Sequence, residues 1–412
     1  MRKKVLKISL IIAFVLFFCM ATICLLCIPF NEITSLPDKI NIDYNSLTNI
    51  TSTNPFGKFI SCELSGNSMV QSNAPLEDLK LNIKLFNIIT LKQIEVDTET
   101  IKVHTGGNTV GFSLNTSGVV VIGSSAVMTE KGSVDTLKNL DIKNGDIIVE
   151  LAGEKVERLA DLSEILDKEE NRGKELSIKI RRDKKEIEYK ITPAKDIYTQ
   201  KYKLGLWVKD DASGVGTLTF VRTDNNRFGA LGHAICDADT KKPIEINGGE
   251  MFNATIIGIN KGAKGKPGEL KALFIQGNNS IGEVDKNTKF GIFGKYNEDK
   301  LKDLNKNTIM QTGGRFTTKP GKAKIRVRLD NDTFKDYDIE IIKTNYQANC
   351  SDKSMVIRVV DKELLEKTGG IIQGMSGSPI IQNDKVVGAV THVFVSDPTK
   401  GFGVYLDWMI EQ

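Results

Sequence analysis

The spacing of apolar runs in the C-terminal half restricts the fold more than any other feature of this chain. From about Tyr202 onward, runs such as LGLWV, GVGTLTFV, KALFIQG, KAKIRVRL, SMVIRVV and VVGAVTHVFV are each of strand length, and Gly, Asn, Asp and Pro separate them. Runs this short and this regularly interrupted predict an all-β sandwich or barrel rather than a parallel α/β sheet. Roughly two hundred residues of such sequence suit a double barrel.

The N-terminus has a different character. Arg2, Lys3, Lys4 and Lys7 precede Ile8–Phe30, which carries no charge and is long enough to cross a bilayer. The expectation is a cytoplasmic basic segment (1–7), a transmembrane signal-anchor (8–30) and the bulk of the chain on the exported side. A cleavable signal peptide is the competing reading, but the apolar stretch exceeds a usual h-region and no Ala-x-Ala site follows it. The formal net charge is +4, which those four cations already supply, so no electrostatic footprint for nucleic acid remains.

Three of the six cysteines lie in the apolar stretch, and Cys62, Cys236 and Cys350 are scattered, which is no disulfide framework. The only histidines are His104, His233 and His392, with no His-x-x-x-His spacing, so neither a zinc site nor any other cofactor is expected.

Residues 31–57 turn to Asn, Thr, Ser, Asp and Pro and read as a linker. Residues 58–101 alternate, as in LKLNIKLFNIITLKQIEV, and predict a small β-rich region. Between 102 and 195 a strand-like GVVVIG is followed by a turn at Asn144-Gly145-Asp146, a helix over Ala160–Leu166 and paired strands. This order resembles a PDZ domain of the type fused to bacterial proteases. The resemblance implies peptide capture at a glycine-containing loop, here Gly106, Gly107, Gly111 and Phe112, with packing against the protease as the alternative use.

Residues 196–412 carry the chemistry. A serine hydroxyl needs a neighbouring base and donors for the oxyanion, and Gly-Met-Ser-Gly-Ser-Pro meets the local requirements. Gly374 lets its own amide and that of Ser376 point at one spot, Ser376 is the nucleophile, and Gly377 clears the space beside it. The run through GAVTHVF to GFGVYLDWMI resembles the trypsin-like order, which implies that Thr391 and His392 lie on the strand that pairs with substrate. His104 falls in the PDZ-like part and His392 on that substrate strand, leaving His233 of Gly-His-Ala as the general base. For the acid, Asp361 lies between His233 and Ser376 in sequence, yet it also stands where the helix KELLEKT needs an N-cap. Asp237, Asp239 and a Ser-His dyad without an acid stay open. An α/β-hydrolase is disfavoured, because there the histidine follows the serine.

One apolar N-terminal segment, a PDZ-like region, LGLWVKDDASGVGTLTF, GALGHAICD and GMSGSPIIQNDKVVGAVTHVFV together resemble the SpoIVB peptidases of endospore-forming bacteria. The resemblance implies a sporulation signalling serine endopeptidase, exported from the forespore into the intermembrane space. It would cut its own N-terminal region and a membrane-bound regulator of the protease that processes pro-sigma-K. Ser376 and His233 match the family's serine and histidine, and Asp361 the usual third candidate. A non-catalytic, membrane-anchored PDZ adaptor with a degenerate protease fold is the competing function.

Overall fold

The structure, a computed structural model, describes residues 33–34, 36, 38–41, 59–65, 79–97, 101–237, 241–277, 279–304, 308–331, 334–345 and 351–412. The predicted segments 1–7 and 8–30 lie outside these residues, as does most of the expected linker. Among the described residues no helix is long and apolar enough to cross a membrane.

The strand-length runs form two closed antiparallel barrels. In the first, Thr109–Ser124 pairs with Leu206–Arg222, and the circuit continues through Arg227–Ala230, Gly291–Tyr296, Ser280–Thr288 and Ile246–Asn253 back to Thr109–Ser124. In the second, Gly321–Val327, Lys335–Thr344, Met355–Val359, Lys400–Tyr405, Lys385–Val393 and Pro379–Gln382 close in the same way. Alternation along each strand sends one face inward, so each barrel has its own core. Phe112, Leu114, Phe228, Met251 and Ile292 fill the first, and Ile325, Ile339, Ile357, Ile380 and Val390 the second.

The boundary expected at residues 195/196 is corrected by the strand Thr109–Ser124. Its first half supplies Val110, Phe112 and Leu114 to the first barrel, and its second half supplies Val119 and Val121 to a separate core. That second core belongs to a smaller unit built on Ile147–Leu151, Leu176–Arg182, Lys185–Ile191 and the helix Leu159–Asp167, which buries Leu162, Ile165 and Leu166 as expected. The smaller unit is therefore inserted between the first two strands of the first barrel. The returning strand Leu206–Arg222 lies antiparallel to Val120–Ser124, so the chain itself covers that strand edge.

Gly106, Gly107, Gly111 and Phe112, assigned to peptide capture, fall on the barrel side of this division. The amides of Gly106 and Gly107 donate to Thr219 O and Leu218 O, each at 2.9 Å, and are not open to a carboxylate. Phe112 is fully buried, and a side chain on Gly111 would meet the Phe274 ring at 2.1 Å. These residues pack the barrel because the extended backbone there must bond on both edges.

The region 58–101 supplies Ile89–Asp97, Lys80–Leu85 and Ile60–Ser65 to a four-stranded sheet whose remaining strand, Lys39–Asn41, comes from the segment expected to be a linker. Ile33, Leu36 and Ile40, expected in the linker, join its core with Leu81, Ile83 and Ile94.

Candidate active site

Ser376 comes from the second barrel, in the loop between the helix Lys362–Thr368 and the strand Pro379–Gln382. His233 follows the strand Arg227–Ala230 of the first. Both line one cleft of about 780 Å³, together with Gly374, Thr391, His392 and Asp352.

The turn that delivers His233 is strained. Leu231 and Gly232 take φ values of 70° and 71°, a region bulky side chains avoid. Leu231 is nonetheless buried in the first core, and a side chain on Gly232 would press on Val390 O and Thr391 Cγ2 at 3.2 and 3.0 Å. The turn thus lays the histidine segment directly against the second barrel.

The serine loop is anchored by its carbonyls. Thr217 N–H donates to Ser376 O at 2.9 Å, Thr217 Oγ1 to Gly374 O at 2.9 Å, and Thr219 Oγ1 to Gly377 O at 2.7 Å. With those carbonyls turned toward the first barrel, the amides divide into two groups. Gln373, Met375, Gly377 and Ser378 each donate to a backbone carbonyl, whereas the N–H groups of Gly374 and Ser376 have no acceptor among the described residues. Two unfilled donors in the cleft that holds the Ser376 hydroxyl are the groups an oxyanion needs. Gly374 and Gly377 have φ of 94° and 92°, and a side chain on Gly377 would lie 2.1 Å from Thr217 O and 2.5 Å from Leu231 N.

The imidazole of His233 has Nδ1 2.9 Å from Ala234 O. A carbonyl only accepts, so Nδ1 carries the hydrogen and the lone pair sits on Nε2. Burial lowers the His233 pKa, opposed by the Ala234 bond and by the charge of Asp352. His392 lies beside it, its ring tilted 37° with centroids 5.0 Å apart, and its Nδ1 is 3.9 Å from Asp352 Oδ2. Burial and the neighbouring His233 lower the His392 pKa, while Asp352 raises it. The Ser376 hydroxyl donates to Thr391 O at 2.8 Å rather than to an imidazole.

Ser376, His233, Gly374, Thr391 and His392 are thus brought together. Thr391 and His392 lie at a register shift in Lys385–Val393, between the pairs Val390↔Gly403 and Val393↔Gly401. Asp361 stands elsewhere: it caps the helix Lys362–Thr368, accepting from Leu364 N at 3.0 Å, and does not line the cleft. Asp237 pairs with Lys209 of Leu206–Arg222, and Asp239 lies outside the described residues. His104 pairs within the strand Lys102–Thr105, against Val221 and Ile309.

Asp352 and Thr217 escaped the sequence reading. Asp352 belongs to no motif, and Thr217 is one polar residue in a strand that alternates ordinarily; only their distant partners distinguish them. Cys236, exposed at the cleft wall three residues after His233, was likewise not singled out.

No curated protein matches the chain. A family model described as SpoIVB peptidase S55 matches residues 200–410, just over half of the 412 residues, and takes in both His233 and Ser376. The chain that holds this serine, histidine and pair of unfilled amides in one cleft belongs to the SpoIVB peptidase family, a family of serine peptidases.

Proposed function

We propose that the protein is a sporulation signalling serine endopeptidase that acts on its own N-terminal region and on a membrane-bound regulator of pro-sigma-K processing. In this reading residues 8–30 anchor it with the bulk on the exported side, in the forespore intermembrane space. The observation that carries the peptidase assignment is the delivery of Ser376 and His233 into one cleft from two different barrels.

The chemistry follows from the site. Ser376 Oγ turns from Thr391 O toward His233 Nε2, which takes its proton as Oγ attacks the peptide carbonyl. The amides of Gly374 and Ser376 receive the oxyanion, the leaving amine takes the proton from His233, and water then resolves the ester. Thr391 and His392 form the wall against which the substrate backbone runs. Asp352 supplies the carboxylate whose charge steadies the imidazolium, and Asp361 acts as a helix cap.

The test pairs a fluorophosphonate probe with N-terminal sequencing of the full chain. Wild type should label at Ser376 and shorten on expression. Ser376→Ala and His233→Ala should do neither, with rates down by at least ~10³-fold because the pair works as a unit. A wild type that neither labels nor shortens, yet supports sporulation as well as Ser376→Ala does, would establish the adaptor reading instead.

A further inference from the structure

One hairpin that belongs by sequence to the first barrel packs on the second. Its strands, Thr255–Asn260 and Glu269–Leu273, pair antiparallel in the stretch between Ile246–Asn253 and Ser280–Thr288. Ile256 and Leu270 are nonetheless buried in the second core, the cluster that also holds Ile372 and Met375 of the serine loop. The turn of the hairpin is tied there as well: Gly262 N–H donates to Thr368 O and Gly265 N–H to Val395 O, each at 2.8 Å.

The hairpin meets the serine loop at Gln373. Glu269 and Gln373 pair in parallel, Gln373 N–H donates to Gly268 O at 2.9 Å, and Leu270 N–H donates to Gln373 O at 2.8 Å. The last of these bonds acts on the amide that follows. Gln373 C=O and Gly374 N–H share one planar trans peptide, so they point in opposite directions. With the carbonyl held by Leu270, Gly374 N–H is aimed away from the hairpin. Among the described residues that line the cleft, Gly374 is one and none comes from 255–273. The Leu270 side chain backs the same glycine, since a Cβ on Gly374 would lie 3.0 Å from Leu270 Cβ.

Gly374 itself does little to hold that plane. It has no Cβ, and its φ of 94° lies where glycine moves freely, so the peptide before it can rotate unless something grips the carbonyl. Thr217 Oγ1 grips the next carbonyl, Gly374 O, which fixes the peptide that follows and not this one. A half-turn of the Gln373–Gly374 peptide would exchange donor for acceptor. It would present Gln373 O where the N–H had been, and a carbonyl there repels a developing oxyanion.

We propose that Leu270 is a positioning residue for the reaction: its backbone N–H, by holding Gln373 O, keeps the Gly374 amide turned toward the oxyanion. This rests on the reading of the chain as a serine peptidase that uses Ser376. The first barrel then serves both halves of the chemistry, the base through His233 and one oxyanion donor through the hairpin.

The experiment removes that one hydrogen from the full chain. Leucic acid in place of Leu270 keeps the side chain and puts an ester oxygen where the N–H was. Leu270→Met, which keeps the N–H and nearly the same volume, is its companion. Reaction with a fluorophosphonate is followed over a range of probe concentrations, which gives the limiting rate and the half-saturating concentration separately. The final extent of labelling counts the folded sites. Full loss of an oxyanion donor slows acyl transfer by about 10²- to 10³-fold, and a plane that is released rather than removed should give roughly tenfold. The leucic acid protein should therefore have a limiting rate down about tenfold, with half-saturation and final extent unchanged, and Leu270→Met should match wild type. A lower final extent or weaker saturation, with the limiting rate of the labelled sites unchanged, would mark a merely structural role and overturn the inference. A leucic acid protein that reacts like wild type would overturn it as well. So would Leu270→Met as slow as the leucic acid protein, since the effect would then belong to the side chain. Wild type that does not react at all would overturn the peptidase reading, and the inference with it.

Discussion

The Ser376 hydroxyl donates to the carbonyl of Thr391 at 2.8 Å, so it rests on the strand Lys385–Val393 instead of on His233. On the other side of the cleft, the bond between His233 Nδ1 and Ala234 O leaves the lone pair on Nε2.

The two aspartates should separate cleanly. Asp352 raises the pKa of His233, against the larger lowering by burial. Asp352→Asn removes that support, so the acid limb of the fluorophosphonate labelling rate against pH should move to lower pH while the plateau falls, since the base is weaker. Asp361→Ala should leave the limb in place and cost about 1 kcal/mol of stability through the lost cap, visible in thermal unfolding. A limb that moves with Asp361 and not with Asp352 would reverse the two assignments.

The hold of the first barrel on the serine loop should be measurable without touching the chemistry. Thr217→Val removes the hydroxyl bonded to Gly374 O, and roughly 1 kcal/mol of lost positioning corresponds to about a fivefold slower acylation. Gly377→Ala is harsher: it forces a side chain into Thr217 O and Leu231 N at a φ of 92°, and should cost ~3 kcal/mol or more, with labelling abolished. Normal labelling by Gly377→Ala would show that the loop is looser than the contacts require.

Cys236 offers a chemical handle on the cleft. Its thiol is exposed but its pKa is raised by partial burial, so maleimide should react slowly at neutral pH and faster as the solution becomes alkaline. Cys62 is buried and pushed up to about 12, which keeps it silent. The Cys236 adduct should block fluorophosphonate labelling of Ser376, and Cys236→Ser should label normally and resist the maleimide. An adduct that left labelling unchanged would place Cys236 away from the path of the probe.

Much of this was legible in the sequence for local reasons. Strand-length alternation requires β structure wherever it occurs, and Gly374 and Gly377 announce positive φ in the serine loop. Asp361 ahead of KELLEKT, with Gly369 closing the helix, has a cap's signature within one turn. Period-two alternation, however, reads the same in any sheet. The run from Thr109 to Ser124 therefore could not reveal that it crosses from one core into another, and the glycines at its start were given to the wrong unit.

That Ser376 and His233 would share one cleft was expected from sequence, because each sits in a short motif of residue types that such chemistry needs. The parts that complete the site are set only by packing. Thr217 reaches Gly374 across 157 residues, and Asp352 meets the histidines because two closed barrels abut there. Contacts between surfaces brought together by closure leave no periodicity in the chain, so Ser376 and His233 could be picked out from sequence, while the place of Asp352, the anchoring of the serine loop and the resting position of Ser376 were decided by tertiary structure.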